Sequence, residues 1–66
     1  MRYFLITVRT KHTYIDFPLG GEIFPSKKMI GQEVERIDGE KVDFNIINIF
    51  EFKNEADYNQ FFRKMN

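Results

Sequence analysis

Between Val42 and Phe52 the chain reads Val-Asp-Phe-Asn-Ile-Ile-Asn-Ile-Phe-Glu-Phe. This run holds β-branched and aromatic residues and has neither Gly nor Pro, which suits a pleated strand. Side chains alternate across a strand. The pattern therefore places Val42, Phe44, Ile46, Phe50 and Phe52 on one face, with Asn48 among them. Asp43, Asn45, Ile47, Ile49 and Glu51 fall on the other. One strand cannot stand alone, so the rest of the chain must supply its neighbours and a cover for its apolar face.

Two further strands are at hand. Arg2 to Thr10 alternates, with Phe4, Ile6 and Val8 on one side and Tyr3, Leu5, Thr7 and Arg9 on the other. Lys11 and His12 mark a turn, although no Asn-Gly or Asp-Gly pair sets its type. A second strand starts near Thr13, runs through Phe17 and resumes around Glu22 to Phe24. Pro18 makes it an edge strand, because proline cannot donate to a ladder. Gly20-Gly21 offers a bend.

Two helices follow from period and capping. Ser26 is the N-cap of the first, in which Ile30, Val34 and Ile37 form an apolar stripe and Gly39 supplies the stop. Gly31 within it costs about 1 kcal/mol relative to Ala. Asn54 caps the second. Glu55 and Asp57 lie in its first turn, Arg63 and Lys64 in its last, and Tyr58, Phe61, Phe62 and Met65 along its stripe.

The expected fold is a single α+β domain over residues 1–66, ββαβα. It has a three-stranded antiparallel sheet of order 2-1-3 with both helices packed on one face. A chain of 66 residues has a small core. With no Cys, disulfides and cysteine-bound zinc are closed to it, and a single His builds no histidine site. The aromatic share of 17% then carries the packing. The chain has no long apolar span and no signal-peptide pattern, so the expected location is cytoplasmic.

Two blocks, Phe24-Pro25-Ser26-Lys27-Lys28 and Ile47 to Tyr58, resemble segments of small proteins from gut anaerobes and their phages. They cover roughly a quarter of the chain. The resemblance implies no activity. It implies at most an accessory role in a phage or mobile element.

The residues favour a protein–protein interaction module, with self-association as one form. If both helices cover one face, Tyr3, Leu5, Ile47 and Ile49 form an apolar island on the other, and such islands mark interaction surfaces. Two arrangements would remove the island: a loop from Pro18 to Phe24 folded over it, or a bulge near Asn48 that shifts the register. The alternative function is nucleic-acid or anion binding by Arg9, Lys11, Lys27 and Lys28, but the formal net charge of zero argues against a global electrostatic pull. Catalysis is not expected. Ser26, the one Ser, serves as a cap, and Glu33 with Glu35, or Glu55 with Asp57, lacks the spacing to share a helix face. No cofactor, metal or small-molecule substrate is expected.

Overall fold

The computed structural model describes the backbone of residues 1–65 and the side chains of residues 1–63. The elements are β1 (Arg2–Thr10), β2 (Tyr14–Gly21), α1 (Lys27–Asp38), β3 (Phe44–Glu51) and α2 (Glu55–Met65). The side chains of Lys64 and Met65, assigned above to the last turn and the stripe of α2, lie outside the described residues. The sheet is antiparallel with order β2-β1-β3, as the sequence indicates.

The β1–β2 turn is closed by a threonine in place of Asn-Gly. The buried Thr10 hydroxyl accepts hydrogen bonds from the N–H groups of His12 and Thr13, each 3.2 Å, and donates to the Thr13 carbonyl, also 3.2 Å. No described non-glycine residue has a positive φ, so side-chain bonding substitutes for the left-handed backbone of the commonest tight hairpins. Strand β2 then continues unbroken through Pro18, which pairs opposite Leu5, to Gly21. The expected interruption at Pro18 does not occur, because on an edge strand a missing N–H need break no ladder.

The core lies between β1, β2 and α1. Phe4, Ile6, Val8 and Phe17 pack with Ile30 and Val34, and all are buried. Ser26 caps α1 by accepting from the Met29 N–H at 3.2 Å. Gly31 earns its place in this helix by proximity to a ring: a β carbon there would stand 3.3 Å from Phe44. Gly39 ends α1 with φ +87° and donates its N–H to the Glu35 carbonyl at 2.8 Å. An added β carbon at Gly39 meets nothing within 4 Å, so its cost is confined to the backbone. Gly39→Ala is expected to destabilise by about 1–2 kcal/mol, seen as a lower urea midpoint with an unchanged slope. An unchanged midpoint would mean that α1 ends differently.

Two expectations are corrected here. The first concerns β3. Its ladder to β1 shifts register between Thr7 and Val8: Val8 pairs with Ile46, Thr7 with Asn48, and Ile47 has no opposite residue. This is a β-bulge, and beyond it the two faces exchange. Ile49 comes opposite Ile6 on the core face, while Phe50 comes opposite Leu5 on the other. The second concerns α2. It does not share a face with α1 but packs on the opposite side, where Tyr58 lies 4.8 Å from the Tyr3 ring and 5.4 Å from Phe52. The physical reason is the bulge itself: it turns Phe52 to the Tyr3 side, and the helix that follows goes with it.

Candidate functional site

The second face of the sheet carries Tyr3, Leu5, Thr7 and Arg9 of β1 in its middle. Tyr14, Asp16 and Pro18 of β2 flank them on one side, and Asn48 and Phe50 of β3 on the other, by pairing. Helix α2 covers one end. Its N-terminus is fixed by Asn54, whose side-chain oxygen accepts from the Asp57 N–H at 2.8 Å. It is anchored through Phe52, whose ring meets Phe50 at 5.0 Å, Phe61 at 5.4 Å and Phe62 at 6.2 Å. The Phe52 N–H also donates to the Tyr3 carbonyl at 2.8 Å, extending the ladder past β3.

Between α2 and the uncovered part of this face runs an open groove of about 650 Å³, its apolar lining drawn from Leu5, Phe50, Phe52 and Phe61. Phe50 is 52% exposed and Phe61 37%. The rim is polar, with Asn48, Glu51, Lys53, Asp57 and Gln60. Apolar surface framed by polar residues has the composition of a docking site.

The four residues expected to form the apolar island are divided by the bulge. Tyr3 and Leu5 are on this face, half-buried, with Tyr3 under α2. Ile47 stands at the bulge, 53% exposed. Ile49 is on the core side and packs against the buried cluster. Phe50, Phe52 and Phe61 take its place in the site. Strict alternation places Phe50 and Phe52 on the face with Phe44 and Ile46, and the signals against it are the polar Asn48 on that face, where the sequence leaves a bulge open, and the paired apolar residues Ile46-Ile47 and Ile49-Phe50. The segment after Pro18 does not cover this face. Phe24 instead packs edge-on against Phe4, 5.5 Å away on the α1 side.

The basic residues are only partly gathered. Arg9 and Lys11 border one shallow depression with Asp43, and Lys11 shares a second with Glu40, Lys41 and Asp43. Lys28 borders a third with Glu35 and Lys41. Lys27 opens α1 and lines none of them. Arg9, Lys11 and Lys28 thus each share a depression with a carboxylate, which lowers the positive potential that a phosphate backbone needs. Arg9 also lies over the exposed Tyr14 ring, 5.5 Å from its centroid. Among the described residues no group of three or more His, Cys, Asp and Glu could hold a metal ion, and no helix is long and apolar enough to cross a membrane.

One ion pair borders β3. Arg2 donates two hydrogen bonds of 2.9 Å to the Glu51 carboxylate. That bonding holds the Glu51 carboxyl below its ordinary range. The Tyr3 phenol is held above its ordinary value, first by burial and then by the Glu55 carboxylate. Comparison with protein-family models, curated proteins and solved structures finds nothing that matches this chain.

Proposed function

We propose that this chain is a small protein–protein interaction module that self-associates through the β3 flank of its sheet and the adjoining groove. The observation that carries this reading is the exposure of Ile47 and Phe50 on β3 and of Phe61 on α2, with Phe50 and Phe61 both lining the groove.

The two sheet edges differ in what they can accept. The β2 edge carries Asp16 and Pro18, both of which discourage strand addition. The β3 edge runs from Phe44 to Phe50 without a charge, a Gly or a Pro. An edge of that kind pairs readily with another strand.

Light scattering behind size exclusion, over a concentration series, tests the proposal. The apparent mass is expected to rise from one chain to two, and Ile47→Asp is expected to weaken the association at least tenfold while leaving the circular dichroism spectrum unchanged. A monomer up to millimolar concentration overturns it. So does a dimer that Ile47→Asp leaves intact.

A further inference from the structure

We propose that two copies pair β3 against β3, antiparallel, in one register that sets Ile47 of each opposite Asn48 of the other. This deepens the self-association reading and rests on it. Two three-stranded sheets would then join into one continuous sheet.

The bulge selects both the partner and the register. Before it, Phe44 and Ile46 lie on the α1 side of the sheet and Asn45 on the groove side, with Ile47 following on the groove side by alternation. After it, Asn48 and Phe50 lie on the groove side and Ile49 and Glu51 on the α1 side. The order of faces is therefore the same from either end of the strand, with its centre between Ile47 and Asn48. A two-fold axis perpendicular to the sheet keeps each face on its own side, so opposed residues must belong to the same face. One register meets that condition along all of β3. It sets Phe44 against Glu51, Asn45 against Phe50, Ile46 against Ile49 and Ile47 against Asn48. A slip of one or two residues opposes residues of different faces on at least one side of the bulge.

A regular strand from another protein fits less well. Strand β1 is regular, and it accommodates β3 only by leaving Ile47 without an opposite residue. A foreign regular strand would repeat that gap on the outer edge. A second copy of β3 brings a matching irregularity and closes it. The charges agree, since the one charged residue of β3, Glu51, is already paired with Arg2 and would face Phe44 rather than another carboxylate.

The chain has no Cys, so introduced thiols report the register cleanly. Asn45→Cys and Phe50→Cys are to be oxidised separately and as a mixture, each variant first checked for folding by circular dichroism. In the proposed register the two thiols of the mixture sit on directly opposed residues, with Cα atoms about 4.5–5.5 Å apart, within disulfide reach. In either variant alone the like positions are about five residues apart along the strand, roughly 16 Å, which is out of reach. Covalent dimer in the mixture alone is the expected result. Phe44→Cys with Glu51→Cys makes a second pair in the same register, should either first variant fail to fold. Cross-linking of a single variant by itself overturns the register, as does a mixture that stays uncross-linked while light scattering still records a dimer. A wild-type chain that is monomeric throughout overturns self-association itself.

Discussion

Replacing Ile49 with Asp is expected to unfold the domain, while the same replacement at Ile47 leaves it folded. The two residues have the same chemistry and lie two positions apart, on what a regular strand would make one face. The bulge separates them. Ile49 comes opposite Ile6, which is fully buried, and packs against the core cluster. An Asp there loses the apolar contact and places a carboxylate beside the core with no stem to carry it back to water. Polar burial without a partner costs roughly 2–7 kcal/mol, more when the group is ionised. A domain of this size commonly has about 3–5 kcal/mol to lose. Ile47 has no opposite residue in the ladder and is 53% exposed. Substitution at such a site ordinarily changes stability by about 0.5 kcal/mol or less. Circular dichroism and urea titration of both variants decide the matter. If the two variants behave alike, both folded or both unfolded, β3 runs without the bulge.

The second large effect is expected at Phe52. Its ring is 7% exposed and meets four others: Phe50, Tyr58, Phe61 and Phe62. Phe52→Ala removes the centre of that cluster, a change that typically costs about 3–5 kcal/mol. The loss falls mainly on α2. That helix has 11 residues, too few to persist alone in water, and Tyr58 against Tyr3 is its one other aromatic hold on the sheet. The core between β1, β2 and α1 does not include Phe52. Hydrogen exchange on the variant is therefore expected to show α2 amides losing protection while β1, β2 and α1 retain most of theirs. Uniform loss over every element would show instead that α2 and the sheet form a single cooperative unit.

Much of this architecture was legible from local rules. Ser26 and Asn54 cap the two helices by the bonds their side chains favour, and Gly39 takes the left-handed stop of α1. Pro18 marks an edge strand because only an edge tolerates the missing N–H. Alternation in β1 correctly divides Phe4, Ile6 and Val8 from Tyr3, Leu5 and Thr7. These features depend on a residue and its near neighbours in the chain, so the sequence contains them outright. The antiparallel order β2-β1-β3 follows too, since a tight hairpin and one helical crossover leave the free side of β1 for the third strand.

The site was legible only in part, and β3 shows why. An alternating pattern reveals a break only where a polar residue appears on a side that should be apolar. Asn48 is such a residue and marks where a bulge can lie, but Ile46, Ile47, Ile49 and Phe50 suit either phase, so the pattern alone does not choose between a bulge and a polar residue on the apolar face. The phase of the strand is decided by its hydrogen bonds to β1, where Thr7 takes Asn48 and Val8 takes Ile46. From that one irregularity follow the turn of Ile49 to the core side, the turn of Phe52 toward Tyr3 and the placement of α2 opposite α1. The sequence by itself determined which segments are strands and helices, how they end and in what order they pair. The tertiary structure decided which face each half of β3 presents, because strand pairing chooses a register that no single strand can specify.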